Sequence, residues 1–389
     1  SEGLGSDLYD CRFDNAQIIH GENESYKFNS SIKEVENADA ILLVGSNPRW
    51  EASVLNARIR KAFIDNNCQV GLIGPALDLN YAYDKISESL DELNDIIDNK
   101  SKFSEVLFNA KNPIIIVGTS AINTSEGSSV LKTCAEIAKK LPNFSSSFNP
   151  LNVLNQDISR VGSLELGFVN KVFDDNIEKK LKEKIDKNKP VVFLLGLDEI
   201  DPKSLEESFV VYCGHHGDIN AQHADIILPT PAYTEKSSTY MNIEGRVFQT
   251  TKCHNPLGES KDEWKIFRAL SEAITNKLKF NNLSELRNEI ITNYKNLAQS
   301  KSIMNGIEVS NYNNTTKVLS LIHVGATDGK FHNFITTRTV SIPGVGGFGI
   351  TSVTEDNKIS NNEQNDDFST LTDFLDFTEN NPFGDPENN

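Results

Sequence analysis

The fold is most clearly indicated by Phe209–Gln249, which reads FVVYCGHHGDINAQHADIILPTPAYTEKSSTYMNIEGRVFQ. Its first residues, Phe209–Cys213, form a short apolar run that stops at a glycine, as a buried strand does. After a polar loop, Ala224–Leu228 is a second apolar run, and Pro229 ends it. The remainder, Tyr233–Arg246, is rich in Thr, Ser, Glu and Asn, which is typical of functional loops or linkers. The segment therefore predicts two short buried strands with loops around them.

Short apolar runs recur along the chain and alternate with amphipathic segments. Strands are predicted at Ala40–Val44, Gln69–Ile73, Pro113–Val117, Val191–Leu195, Phe209–Cys213 and Ile226–Leu228, with a further short strand at Val318–Val324. Helices are predicted at Glu51–Ile64, Glu88–Ile97, Gly127–Lys140, Asp262–Leu278 and Leu283–Leu297. Strands that are apolar throughout and alternate with helices form parallel sheets covered on both faces. The predicted fold class is therefore α/β.

Four of these strands run into a glycine, namely Gly45, Gly118, Gly196 and Gly214. Ligands of open α/β sheets bind at the carboxyl ends of the strands, so this edge is where a site is expected. The turn Gly45–Pro48 lies between a strand and a helix, where backbone N–H groups can face a phosphate. The alternative is an ordinary strand-to-helix turn, which also favours Gly, Ser, Asn and Pro.

Composition excludes several classes of function. The 389 residues carry a formal net charge of -17. Because nucleic-acid binding needs a concentrated basic face, we expect no nucleic-acid partner. Apolar runs of eighteen or more residues are absent from the sequence, so we expect no membrane insertion. The start, SEGLGSDLYD, resembles neither a signal peptide nor a transit peptide.

The cysteines are scattered and form no CxxC pair: Cys11, Cys68, Cys134, Cys213 and Cys253. An iron–sulfur cluster needs about four thiolates at characteristic spacing, so the chain is expected to hold none. The same scatter argues against a disulfide framework and fits a reducing compartment.

Three further groups of residues are candidates for a metal site, a catalytic site and an interface. The histidines are His215, His216 and His223, and we expect no metal there, since adjacent side chains on an extended strand point to opposite faces. The acids are Asp225, Glu235 and Glu244, and they lack a nucleophile or a pocket that would make them catalytic. The local basic cluster is Arg49, Arg58, Arg60 and Lys61, which is either a solvated helix face or an interface to an acidic neighbour. We therefore predict no catalytic, cofactor-binding or metal-binding residue.

Several motifs in order resemble one family. The loop Gly214–Asp218, the turn Tyr233–Ser237 and the element Asn242–Arg246 resemble the large iron–sulfur subunit of respiratory complex I, a branch with the molybdopterin oxidoreductase fold. Matching stretches lie at Ala38–Phe63 and Asp262–Ser271, and the resemblance spans roughly residues 24–297.

The resemblance implies mostly parallel sheets covered by helices, as in formate dehydrogenase and DMSO reductase but without their C-terminal β-barrel. It implies an accessory part of the hydrophilic arm of NADH:ubiquinone oxidoreductase at the matrix side of the mitochondrial inner membrane. Iron–sulfur clusters and FMN are then expected in partner subunits, and none in this chain. This chain would then be either a fragment of the subunit or one half of a naturally split subunit. We favour the split, in which the cluster-bearing half is a separate polypeptide.

Two other functions stay open at this point. One is a fragment of a catalytic molybdopterin oxidoreductase, such as formate dehydrogenase or nitrate reductase, in which the turn after the strand would help to hold the pterin dinucleotide. The other is a free-standing α/β interaction protein.

The predicted organisation has three parts. Residues 1–300 form the α/β region, with subregions of roughly 1–110 and 111–300. Residues 301–350 form an irregular extension with a Gly-rich stretch, and residues 351–389 form an acidic tail that is disordered or docked on a partner.

Overall fold

A computed structural model describes residue 6 and residues 8–338, apart from residues 20, 159, 170–188, 198, 218, 275–276, 295–318 and 328–329. The described strands are β1 (Ala40–Val44), β2 (Gln69–Ile73), β3 (Asp84–Ser87), β4 (Pro113–Gly118), β5 (Leu151–Leu154), β6 (Val191–Leu195), β7 (Phe209–Gly214), β8 (Ile226–Pro229), β9 (Thr239–Met241), β10 (Val247–Gln249), β11 (Leu319–Thr327) and β12 (Lys330–Arg338). The predicted acidic tail lies outside the described residues.

The described α-helices are α1 (Pro48–Glu51), α2 (Ser53–Asp65), α3 (Glu92–Ile97), α4 (Lys102–Asn109), α5 (Thr119–Ile122), α6 (Gly127–Lys140), α7 (Arg160–Glu165), α8 (Ile219–Gln222), α9 (Glu263–Ala273) and α10 (Leu283–Asn293). Short 3₁₀ helices lie at Asn23–Tyr26, Glu34–Asn37 and Pro202–Leu205. No helix among the residues described is both long enough and apolar enough to cross a lipid bilayer.

The first sheet has the strand order β3-β2-β1-β4-β5, and each of these neighbouring pairs is parallel. All five side chains of β1 are buried, because helices cover both faces. On one face Leu42 and Val44 pack with α3, α4 and α6, and on the other Ile41 and Leu43 pack with α2. A continuous apolar strand is thus explained by two-sided burial.

The second sheet has the order β6-β7-β8 among the described strands, and its pairs are also parallel. One face packs Leu194 and Tyr212 against Leu205 and Ala221. On the other face the ring of Phe193 lies 5.8 Å from that of Phe267, which belongs to α9. Side chains therefore pack on both faces of this sheet too, although fewer of them do so in the described part of the chain than on the first sheet.

An antiparallel hairpin, β9–β10, pairs Val247 with Met241. Its turn needs Gly245, whose φ of 81° is favoured only for glycine, and Asn242 N–H donates to Arg246 O at 3.0 Å. Two further strands, β11 and β12, form a separate two-stranded sheet. They lie in the part predicted to be irregular, where only a short strand at Val318–Val324 was expected.

Most predicted elements are confirmed, and the differences have physical reasons. The helix predicted at Glu51–Ile64 is divided into α1 and α2 at Ala52, whose backbone is non-helical, with φ -154° and ψ 71°. The helix predicted at Glu88–Ile97 begins at Glu92, and the one predicted at Asp262–Leu278 spans only Glu263–Ala273. The described helices and strands that the sequence did not predict are β3, α4, α5, β5, α7, α8, the β9–β10 hairpin and β12.

Candidate functional site at the carboxyl edge of the first sheet

The carboxyl ends of β1 and β4 meet closely. Gly45 has a φ of 53°, and its N–H donates to Ile73 O at 2.9 Å. A Cβ added to Gly118 would lie 2.4 Å from Gly45 O and 2.6 Å from the Ser46 Cα, which is far inside van der Waals contact. The Ser120 hydroxyl donates to the same Gly45 carbonyl. Two glycines are therefore required because the loops after the two strands touch.

The carboxylate of Glu51 occupies the start of helix α1. Its Oε1 accepts a hydrogen bond from Asn47 N–H at 2.7 Å, and its Oε2 accepts one from the Ser46 hydroxyl at 3.2 Å. The bond to the N–H of the N-cap Asn47 is similar to the reach-back of a capping box, although the acid lies one residue later than in that motif. Burial raises the pKa of Glu51, and the bonds from Asn47 and Ser46 oppose that rise.

The turn does not fit a pterin dinucleotide phosphate. The N–H of Asn47 and the hydroxyl of Ser46, which would face an anion, already bind Glu51. The contact between Gly118 and Gly45 also closes the space between the two strand ends. The half-buried carboxylate of Glu51 would also repel a second anion placed beside it. The prediction that this chain holds no cofactor stays a prediction, and the turn gives a structural argument for it.

Gly196 and Gly214 lie on the second sheet, so the four strand-terminal glycines do not share one edge. Gly196 has a φ of 64°, and its N–H donates to Cys213 O at 2.7 Å. These two glycines close turns next to each other, apart from Gly45 and Gly118. Of the four strand-terminal glycines that the sequence suggested would share one edge, the structure places Gly45 and Gly118 on the first sheet and Gly196 and Gly214 on the second.

The basic cluster is largely neutralised by acids of the same chain. Arg58 and Lys61 both pair with Glu36, the latter at 2.5 Å. Arg49 pairs with Asp78, and Arg60 Nε donates to Asn80 O at 3.4 Å. The solvated, self-paired helix face is therefore the better interpretation of this cluster.

The histidines are placed differently from the sequence argument. The rings of His215 and His216 lie 4.4 Å apart, edge to face, so the expectation that they point to opposite faces is wrong. The reason is that they lie in the bend after β7 and not in an extended strand. His223 lies apart, with its Nδ1 2.9 Å from Ile219 O. Across the part of the chain that the structure describes, no three His, Cys, Asp or Glu side chains gather as metal ligands do.

Each of the three candidate acids accepts a hydrogen bond from a different backbone N–H group. Asp225 Oδ2 accepts from Val210 N–H at 2.7 Å, and Glu235 Oε2 accepts from Ala232 N–H at 3.1 Å. Glu244 is the most connected: its Oε1 accepts from Ile32 N–H at 2.8 Å. These carboxylates hold loops in place and do not form an acid–base set.

One buried group was not predicted from the sequence. Arg160, the first residue of α7, is 2% exposed, and its Nη2 lies 2.8 Å from Asp14 and 2.9 Å from Asp157. This arginine ties the start of the chain to α7. Asp157 and Arg160 are three residues apart, which is the only local signal for the pair, whereas Asp14 is visible only in the fold.

The family model described as molybdopterin oxidoreductase matches residues 1–273. The chain is 41% identical over 288 residues to the NADH-ubiquinone oxidoreductase 78 kDa subunit, mitochondrial, of Candida albicans, covering 73% of this chain and 38% of that protein. It is 34% identical over 331 residues to the NADH-ubiquinone oxidoreductase 75 kDa subunit of Reclinomonas americana, covering 83% of this chain and 46% of that protein.

The chain thus spans less than half the length of these curated relatives. A solved structure of acetylene hydratase from Pelobacter acetylenicus overlaps 70% of this chain and 51% of that chain, with a TM-score of 0.47 at 13% identity. That overlap is too loose to carry an argument. The family model covers well over half of the chain, and the parallel sheets covered by helices agree with it. This chain belongs to the molybdopterin oxidoreductase family.

Proposed function

We propose that the chain is an accessory part of the hydrophilic arm of NADH:ubiquinone oxidoreductase. In this proposal it supports a separately encoded, cluster-bearing half of the same subunit during electron transfer from NADH to quinone. The partners are that half and other subunits of the arm, and the assembly lies at the matrix side of the mitochondrial inner membrane. The observation that carries the proposal is the 41% identity to the Candida albicans subunit over 73% of this chain.

The chain's own residues support a structural role. The donors of the Gly45–Pro48 turn are used by Glu51, and the candidate acids bind backbone N–H groups of the same chain. The five cysteines are scattered along the sequence without a CxxC pair, whereas an iron–sulfur cluster needs about four thiolates at characteristic spacing. The clusters and FMN of the complex are therefore assigned to other subunits.

Purification of the native assembly tests the proposal. Membranes from the source are solubilised and resolved on a blue-native gel with an in-gel NADH oxidation stain. Mass spectrometry and metal analysis then identify what migrates with this chain. We expect co-migration with a very large NADH-oxidising band that contains a cysteine-rich partner and iron but no molybdenum.

Two other outcomes would overturn the proposal. A smaller band that carries molybdenum would indicate a fragment of a catalytic molybdopterin oxidoreductase. A soluble species that migrates alone would indicate a free-standing module.

A further inference from the structure

The outer strand of the second sheet is apolar and uncovered on both faces. Ile226 is 43% exposed and Ile227 is 53% exposed. Ile226 pairs with Val211 and Ile227 pairs with Tyr212, so the two isoleucines lie on opposite faces of the sheet. A parallel sheet normally has both faces covered, so the layers on either side of β8 stop short of it.

Among the strands that the structure describes, none pairs with β8 on the side that faces away from β7. Asp225 N–H donates to Val210 O at 2.9 Å, which fixes the direction of the backbone groups at the start of β8. Thr230, one residue beyond the end of the strand, donates to Gly214 O at 2.9 Å. Backbone groups alternate in direction along a strand, so the N–H and C=O groups of Ile226 and Leu228 point away from β7. Pro229 lacks an N–H on the side that faces β7, so it removes nothing from the outer edge. The outer edge can therefore accept another strand.

The two edges of the first sheet look different. On β3, exposed Asp84 and Lys85 place charges at the edge, which is a common protection against strand pairing. On β5, the edge is covered by the preceding chain: Phe28 bridges to Asn152, and Val153 N–H donates to Lys27 O at 2.9 Å. The sequence of β8, IILP, carries no charge.

The edge formed by β6 differs from β8 as well. Val191 is 58% exposed, but Leu194, on the opposite face, is 2% exposed. Thus β6 is open on one face only, whereas β8 is open on both. Among the described edge strands of the two parallel sheets, β8 is the one with exposed apolar side chains on both faces.

We propose that β8 is a docking edge for a strand of the cluster-bearing polypeptide, which extends the second sheet. The docking strand would be apolar on both faces and would bring its own covering helices over Ile226 and Ile227. The relatives support this occupant, since the chain spans only 38% and 46% of their lengths, so the related proteins contain much further chain that can supply strands. This inference rests on the proposed function and names the surface through which the two polypeptides join.

Hydrogen exchange within the native assembly tests it directly. The chain is compared in the purified complex and after release from it, and deuterium uptake is followed for the peptide that spans residues 224–230. The N–H groups of Asp225 and Thr230 are bonded within the chain in both states, so only those of Ile226 and Leu228 should change. We expect these two amides to exchange on the order of a hundredfold more slowly in the complex. Strand β7, already paired on both sides, is the internal reference.

A pair of variants separates edge docking from loss of folding. Ile227→Lys and Val191→Lys change side chains of similar exposure on opposite edges of one sheet. Both chains should retain the wild-type melting temperature, because the new ammonium groups are solvated in the free chain. Assembly with the cluster-bearing polypeptide should fall at least about tenfold for Ile227→Lys and stay within about twofold for Val191→Lys.

The outcomes distinguish this inference from the function on which it rests. If the partner co-purifies but the two amides exchange at the rate of the released chain, β8 is not the docking edge and the proposed function stands. Equal losses of assembly for the two variants would also overturn the docking edge. If no cluster-bearing polypeptide accompanies the chain, the proposed function fails, and the docking edge fails with it.

Discussion

The two parallel sheets of this protein are built from similar apolar strands, but their faces and edges are covered to different extents. The first sheet is closed, with helices on both faces and edges that are charged or covered. The second sheet ends at β8 with isoleucines exposed on both faces. An apolar strand in a sequence can therefore have two meanings. It can be buried within its own chain, or it can lie at a surface that another polypeptide covers.

The same substitution in each sheet should have its largest effect in the first. Ile116 of β4 is completely buried, so Ile116→Ala removes packed methyl groups and should lower the free energy of unfolding by about 4 kcal/mol. Ile227→Ala, on the half-exposed edge, should cost less than about 1 kcal/mol in the free chain. Urea unfolding followed by circular dichroism measures both, and similar losses would remove the distinction between a closed and an open sheet.

The glycines at the strand ends give the next largest contrast. Gly118→Ala would force a methyl group against Gly45 O and should destabilise the chain by about 2 kcal/mol. Gly217→Ala, in the loop after β7, meets no atom within 4 Å and should change stability by less than about 0.5 kcal/mol. Thermal unfolding of the two variants checks this, and an unchanged melting temperature for Gly118→Ala would show that the strand ends can separate.

A pH titration tests how Glu51 affects stability at the turn that follows β1. Because the folded state raises the pKa of this carboxyl, its contribution to stability is present at low pH and is lost as the pH rises through the folded pKa. Glu51→Gln should therefore be more stable than wild type at pH 7, by at most about 1 kcal/mol, and the difference should disappear in acid.

Urea unfolding at several pH values measures that dependence. The exposed Glu259→Gln variant is the control and should follow the wild-type profile. A Glu51→Gln variant that loses stability at pH 7 would contradict the assignment of burial as the dominant influence.

The smallest expected effect is kinetic and concerns the thiols. Burial raises the pKa of Cys134 under the first sheet to about 12 and that of Cys213 in the second to about 11, whereas Cys253 is exposed. Iodoacetamide at pH 8 should modify Cys253 first, because a thiol with a pKa near 12 is only about 0.01% thiolate. Peptide mass spectrometry over time gives the order, and early labelling of Cys213 would show that the second sheet opens in the free chain.

Strands with continuous apolar runs, such as Ala40–Val44, could be predicted because two-sided burial requires them. The edge strands β3 and β5 could not, since DKIS is polar and LNVL contains Asn152, which is buried by contacts with Ser30. Such strands depend on partners distant in sequence, which no local pattern reports.

The candidate site was predicted only in part. The sequence identified the turn Gly45–Pro48, because glycine and proline mark strand-to-helix junctions. That Glu51 folds back onto this turn has only a weak local signal, since Glu51 lies four residues after the N-cap Asn47 and a capping box places its acid three residues after the N-cap. The approach of Gly118 to Gly45 could not, since the two strands are neighbours only through the parallel crossover.

The carboxylate of Glu51 also has a consequence for any competing anion. Because Glu51 is only four and five residues from its donors in the same chain, its carboxylate acts at an effective concentration of about millimolar or higher, whatever the solution contains. A free phosphate ester must displace it before reaching Asn47 N–H, and must do so against its charge. While the Glu51 carboxyl is ionised, the turn is thus occupied by an anion of its own chain, and an anion-binding variant would first have to lose the side chain at position 51.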